Sequence, residues 1–288
     1  MRGRIRRAID RATAAGDRVN AWGTRLLAGK GIRVAWLVVG CLVAVPLLGF
    51  GTIQAASTVA HEERDEVTTI DLDTTDVRGL VVDNGAGRVT VVGVEGADAI
   101  VVRAHISDGL RNTGHSITTR DDHVFVRGTC PLFGSDWCSI AYTIEVPEDL
   151  FVNVKGQSSV RVSDVSGGLV ATSDMGGVDL VRIGGEVTAT SDQGRVEGHD
   201  LTAPRTTARA DQGRVSLEFA ESPDMVDVEA DQGSVDIVLP EDPDVFYAVH
   251  MDADQGSENN SVNTQSTSDR SIAAKADQGS ITITYAMS

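Results

Sequence analysis

Five copies of the tripeptide Asp-Gln-Gly recur in the last third of this 288-residue chain, beginning at Asp192, Asp211, Asp231, Asp254 and Asp277. Their steps are 19, 20, 23 and 23 residues, and a degenerate copy, Asp174-Met175-Gly176, precedes the first by 18. Each is followed by a short run with an apolar residue at every second position, as in Val215-Ser216-Leu217-Glu218-Phe219. One unit reads as a strand (Val187 to Thr190), a corner (Ser191 to Gly194), a second strand (Arg195 to Glu197) and a looser return (Gly198 to Leu201). A unit this small cannot bury its apolar face alone, but stacked on its neighbours it can. The spacing therefore predicts a β-solenoid with a continuous core of Val, Ile, Leu and Ala. An aromatic content of only 4% fits a narrow bore filled by small and branched side chains.

The rest of the chain after residue 66 reads the same way. Alternating apolar runs at 67–72, 79–82, 88–92, 99–106, 116–119, 124–127 and 140–146 are bounded by Gly, Asp or Asn and predict strands. Gly85 to Val91 is an early relative of the repeat, which becomes regular from about residue 156. No helical periodicity of useful length follows residue 56, so the fold class is all-β over 67–288. The polar stretch Ser257 to Asp269 is expected to be a return loop or an edge. The final strand, Ile281 to Tyr285, is expected to close the end of the stack.

Charge divides the chain. Residues 1–33 carry nine Arg or Lys against Asp10 and Asp17, a net of +7; subtracting this from −17 leaves −24 for the remainder. Residues 34–53 carry no charge at all. At about 1.5 Å per residue that run reaches roughly 30 Å, the thickness of a bilayer core. It predicts one membrane helix, residues 34–55, after a basic segment, 1–33, and before a polar tether, 56–66. The positive-inside rule then places the N-terminus in the cytoplasm and the β domain outside a plasma membrane. A signal peptide cleaved near Gln54-Ala55-Ala56-Ser57 stays open as the alternative to the anchor. For the basic segment two readings stay open: a helix lying on the inner leaflet with Ile5, Ile9, Val19, Trp22 and Leu26 as its apolar stripe, or arginines that only set topology. The −24 balance disfavours nucleic-acid binding, which needs a basic footprint.

An external compartment permits disulfides. Cys130 and Cys138 are expected to form one, since no second Cys or His pair lies near at zinc-ligand spacing. Cys41, in the membrane run, reads as a small apolar filler.

Three roles suit the repeated corner. As a turn, Gly supplies a positive φ and the Asp side chain accepts backbone N–H groups. As a metal ladder, Asp192, Asp211, Asp231, Asp254 and Asp277 would stack about 4.8 Å apart and hold Ca²⁺. As a binding face, Gln193, Gln212, Gln232, Gln255 and Gln278 would meet a glycan or a protein. Two unit charges 4.8 Å apart in water repel by only about 0.9 kcal/mol. Charge-assisted hydrogen bonds to backbone contribute roughly 1.5–3 kcal/mol each, so the corner needs no cation. The turn is the leading role and no cofactor is expected. Catalytic signals are lacking: there is no Gly-x-Ser-x-Gly elbow, phosphate loop, Rossmann fingerprint or His pair at metal spacing. Asp121-Asp122 and Glu241-Asp242 read as solvated turn residues.

These residues together resemble a known family. A basic start and single apolar span precede Gly87-Arg88-Val89-Thr90-Val91; a Cys pair precedes Tyr142-Thr143-Ile144-Glu145-Val146-Pro147; Gly-x-Val repeats follow, then Ile237-Val238-Leu239-Pro240. Over about residues 67–288 the chain resembles the adhesin-labelled family of β-strand-repeat bacterial envelope proteins, whose label is itself inferred. The resemblance implies a right-handed solenoid and an envelope location, and carries over no catalytic residue. The expected function is a non-enzymatic, membrane-anchored surface protein whose solenoid acts as an adhesion or interaction module for an envelope protein or glycan. Alternatives are an envelope-stress sensor signalling through residues 1–33 and, more distantly, a carbohydrate-active β-helix enzyme.

Overall fold

The computed structural model describes residues 39–40, 62–72, 77–108, 112–131 and 138–286. The chain divides into two units, 1–56 and 57–288. The expected basic segment and membrane helix lie outside the described residues, apart from Val39 and Gly40, which are helical. Among the described residues no helix is long and apolar enough to cross a membrane.

The second unit is almost entirely β. Its strands are β1 (Glu62–Asp71), β2 (Gly79–Asn84), β3 (Val89–Val94), β4 (Ala99–Asp108), β5 (Gly114–Arg120), β6 (His123–Thr129) and β7 (Ser139–Pro147). Next come β8 (Phe151–Gly156), β9 (Val160–Ser163), β10 (Leu169–Ser173), β11 (Val178–Val181), β12 (Glu186–Ser191), β13 (Val196–Leu201) and β14 (Arg205–Ala210). The last are β15 (Val215–Phe219), β16 (Met225–Ala230), β17 (Val235–Leu239), β18 (Ala248–Ala253), β19 (Glu258–Asn260), β20 (Ser271–Ala276) and β21 (Ile281–Tyr285).

From β8 onward successive strands alternate between two sheets, so each chain turn lays one rung in each. Neighbouring rungs pair in parallel and in register, as Leu169↔Val187↔Thr206↔Val226 and Val178↔Val196↔Val215↔Val235 show. Alternation decides what goes inside: Val187 and Ala189 of β12 and Val196 and Leu201 of β13 are buried, while Thr188 and Glu197 between them are not. This is the repeat architecture that the spacing predicts. At one end antiparallel strands close the stack, β5 on β6 in one sheet and β4 with β1 on β7 in the other. Cys130 and Cys138 form the expected disulfide.

Two expectations change. Strand β1 begins at Glu62, inside the stretch expected as a polar tether. Its charged residues sit on a sheet edge, where Arg64 pairs with Asp108 and Asp65 lies 2.7 Å from His105. Charge on an edge strand also discourages pairing with another chain, and composition alone cannot distinguish that from a linker.

The final strand does not close the stack. In one sheet the order is β18-β20-β16, in the other β17-β21-β19, so the last turn of chain inserts between its two predecessors. The reason lies in the inward positions. Strand β21 offers Ile281 and Ile283, fully buried, whereas the aligned residues of β19 are Glu258 and Asn260. A rung carrying Glu and Asn inward can lie only at an end; the apolar rung can be covered on both sides. Glu258 Oε1 accepts the Ala253 N–H at 3.0 Å, placing a carboxylate across that end. The polar stretch 257–269 thus begins as the edge that was one of its two expected forms.

Candidate functional site

The Asp-Gln-Gly corners stack in one column where the chain passes from one sheet to the other. Their backbones form a ladder: Gln212 N–H donates to Asp192 O, Gln232 to Asp211 O and Gln278 to Asp231 O, each at 3.1 Å. The Asp amides do the same one residue earlier, Asp211 to Ser191 O and Asp231 to Ala210 O at 3.1 Å, and Asp277 to Ala230 O at 3.2 Å. Because the last two rungs are exchanged, the spatial order is Asp192, Asp211, Asp231, Asp277, Asp254, not the order of the sequence.

Glycine is required here for closeness rather than for a left-handed turn. None of the corner glycines has a positive φ; among the described glycines only Gly87, Gly96, Gly168 and Gly185 do. A Cβ on Gly213 would lie 1.9 Å from the Gly194 carbonyl oxygen, one on Gly233 2.0 Å from that of Gly213, and one on Gly279 2.0 Å from that of Gly233. Each glycine therefore admits the carbonyl of the glycine in the neighbouring rung. This corrects the positive-φ expectation.

The expected capping by Asp side chains is also absent. No backbone N–H donates to the carboxylates of Asp192, Asp211, Asp231, Asp254 or Asp277 among the described residues; Asp277 instead lies 2.9 Å from Lys275 Nζ. In the early rungs buried hydroxyls bond the corner backbone instead, Ser173 alone accepting an N–H. Ser191 Oγ donates to Gly176 O at 2.8 Å, and Ser173 Oγ accepts the Gly176 N–H at 3.1 Å while donating to Ser158 O. In later rungs the equivalent positions are Ala210, Ala230 and Ala276, each fully buried. Gln193, Gln212, Gln232, Gln255 and Gln278 are all exposed, forming one stripe of amides. Among the described residues no three His, Cys, Asp or Glu side chains converge as a metal site would require.

The opposite corner, unnoticed in the sequence, carries the backbone strain. Asp164, Arg182 and Asp200 occupy consecutive rungs with φ of 61°, 52° and 54°. A left-handed conformation costs a non-glycine residue about 1–2 kcal/mol. Here it is tied by a two-pronged ion pair, Arg182 Nε to Asp164 Oδ1 at 2.6 Å and Nη2 to Oδ2 at 3.0 Å. The Arg182 hydrogen bond holds the Asp164 carboxyl below the ordinary carboxylate range. The spacing of 18 between Asp164, Arg182 and Asp200 matches the step from Asp174 to Asp192, and was the signal available in the sequence.

Asp121 and Asp122 form the two-residue turn between β5 and β6, both at positive φ (50° and 60°), as a type I′ hairpin demands. Both are exposed, as the solvated-turn reading expects.

No protein-family model matches this chain, and no curated protein matches it. Solved structures resemble it at a distance. A candidate adhesin from Bacteroides fragilis aligns with a TM-score of 0.39 at 14% identity, over 77% of this chain and 97% of that one. A candidate lipid binding protein from Parabacteroides distasonis gives 0.37 and 10%, over 78% and 97%. A candidate cell adhesion protein from Clostridium sporogenes gives 0.34 and 11%, over 78% and 100%. These likenesses are distant, too loose to transfer a ligand, a partner or an activity.

Proposed function

We propose that this protein is a non-enzymatic, membrane-anchored surface protein whose right-handed β-solenoid is an interaction module, with the stripe of corner side chains as its contact face. The observation that supports this reading is the in-register repetition of five exposed Gln side chains on a backbone ladder. Rungs about 4.8 Å apart present identical amides at a fixed repeat, which suits an extended partner such as an envelope glycan or a strand-like protein segment. Turn formation needs only Gly and the backbone, so it leaves the identity of Gln unexplained. On this reading residues 34–55 cross the plasma membrane, residues 1–33 stay cytoplasmic and the β domain lies outside.

The test is a full-length variant with all five Gln replaced by Ala, compared with the parent for binding to isolated cell envelopes. Loss of binding with an unchanged melting temperature is expected. Unchanged binding would remove the stripe as the contact face. The sensor alternative draws on the +7 charge of residues 1–33. Replacing that segment with an unrelated one of equal charge should leave envelope binding intact while abolishing any cytoplasmic response.

A further inference from the structure

The outer face of the sheet containing β5, β6, β2 and β8 carries a groove of about 420 Å³ near the end closed by antiparallel strands. Strand pairing sets the side chains of this face in three columns. The groove is lined by Thr118, Phe125 and Val81 of the central column, with Ser116, Arg127 and Asp83 on one side and Arg120 on the other; His123, Gly79 and Phe151 continue the Arg120 column beyond that lining. The four strands span about 14 Å at ordinary strand spacing.

Three observations give this face a chemistry. First, it turns aromatic rings outward: Phe151 is 38% exposed and Phe125 is half-buried with His123 beside it. Gly79, between His123 and Phe151, contributes no side chain, and the His123 ring leans into the space a Cβ would take, 2.7 Å away. Second, the Arg120 guanidinium sits 5.8 Å from the Phe125 ring centre and has no acidic partner within ion-pair distance among the described residues. Arg127, by contrast, is matched by Asp83 at 3.5 Å. An unmatched cation over an aromatic ring stands out where residues 34–288 carry −24. Third, hydroxyls of Ser116 and Thr118 line one wall.

We propose that this groove binds a carboxylated saccharide, with a sugar ring on Phe125 and Val81 and its carboxylate against Arg120. A peptide is the poorer fit. Peptides engage sheets by adding a strand at an edge, using free backbone groups. Strand β5 is the last of its sheet, so its outer edge is open to that mode, but the groove itself lies on the sheet face, where its lining offers hydroxyls, guanidinium groups and a ring. Those are the partners of sugar hydroxyls, carboxylates and C–H faces. The groove is separate from the stripe of corner Gln residues, so it stands whether or not that stripe is a contact face.

The experiment measures binding of full-length protein in detergent micelles to a hexuronic acid tetrasaccharide, the neutral hexose tetrasaccharide of the same linkage, and acetate. Saturable uronate binding is expected, with the neutral oligomer at least roughly 10-fold weaker, the effect of losing one charge-assisted hydrogen-bonded contact. Arg120→Gln should abolish that preference and Phe125→Thr should weaken both oligomers. Arg205→Gln, further along the same sheet, should change neither. The variant lacking the five corner Gln side chains should keep the uronate preference. Melting temperatures of all variants within a few degrees of the parent would show that they fold. Absence of saturable uronate binding, equal binding of the neutral oligomer, equal binding of acetate, or retention of the preference by Arg120→Gln would each overturn the proposal.

Discussion

Replacing Gly213 with Ala tests the central physical claim about the corner. The new Cβ would lie 1.9 Å from the Gly194 carbonyl oxygen and 2.6 Å from its carbon. Ordinary carbon contacts need about 3.5 Å, so the two rungs must separate locally by roughly 1.5 Å. That opening breaks the Gln212 N–H to Asp192 O bond (3.1 Å) and the Val196 N–H to Arg214 O bond (3.0 Å) beside it. Two backbone hydrogen bonds at about 1 kcal/mol each, with overpacking at about 1–3 kcal/mol, give a loss of roughly 3–5 kcal/mol. For a domain of this size each kcal/mol lowers the melting temperature by about 2–4 °C, so a fall of roughly 6–20 °C is expected. Circular dichroism of the full-length chain reads it, and hydrogen exchange should show the Gln212 and Gln232 amides losing protection first. Gly213→Asn separates closeness from backbone freedom. Asn tolerates the left-handed region, so a positive-φ requirement would make it milder than Ala; a steric requirement makes it no better. Gly96, at φ +66° with nothing within 4 Å of a Cβ, is the matched control, where Ala should cost only about 1–2 kcal/mol. A loss below about 1 kcal/mol at Gly213→Ala, or a rescue by Asn, would refute the reasoning.

Opening the Cys130–Cys138 bridge by Cys→Ala at both positions should cost roughly 2–3 kcal/mol on the loop-entropy model, read as a lower melting temperature that reductant no longer changes. Acid should weaken the fold through two carboxylates. Burial alone would raise Asp108, but hydrogen bonds from Thr113, and Arg64 beside it, hold it below the ordinary range; Asp164 is lowered by Arg182. Both pKa values are depressed in the folded state, so their stabilisation is complete above the unfolded value near ~3.9 and is lost as pH falls through the folded values. Asp108→Asn should flatten the fall in melting temperature below about pH 4, while Asp164→Asn, at a 35% exposed and screened side chain, should change the unfolding free energy by less than about 1 kcal/mol. Glu258→Val with Asn260→Ile should turn the polar end rung into an apolar one and produce end-to-end association in sedimentation; a chain of unchanged mass would show that those residues do not guard the end.

The corner column was legible because recurrence at a near-constant step survives any detail of packing. The exposure of all five Gln residues followed from the same register. Its mechanism was not legible: a Gly after Asp-Gln looks the same whether it serves a left-handed turn or a close approach, and only the rung beneath distinguishes them. The Asp164, Arg182 and Asp200 corner was missed because its residue types differ while its conformation repeats. The groove at Phe125 was likewise invisible, since Thr118, Phe125 and Val81 come from three separate strands and meet only through pairing.

Period-2 alternation and the repeated corner thus determined that residues after 66 would form stacked strands with Val, Ile, Leu and Ala inside, because each unit alone leaves its apolar face in water. The expected external compartment, with no second Cys or His pair at zinc-ligand spacing, predicted the Cys130–Cys138 bridge. Only the tertiary structure decided which rung lies at the end. The rung of Glu258 and Asn260 was driven outward and that of Ile281 and Ile283 inward, since an interior rung must be apolar on the face its neighbours cover. It also drew Glu62 to Glu66 into β1, where cross-strand partners stabilise charges that local composition assigns to a tether.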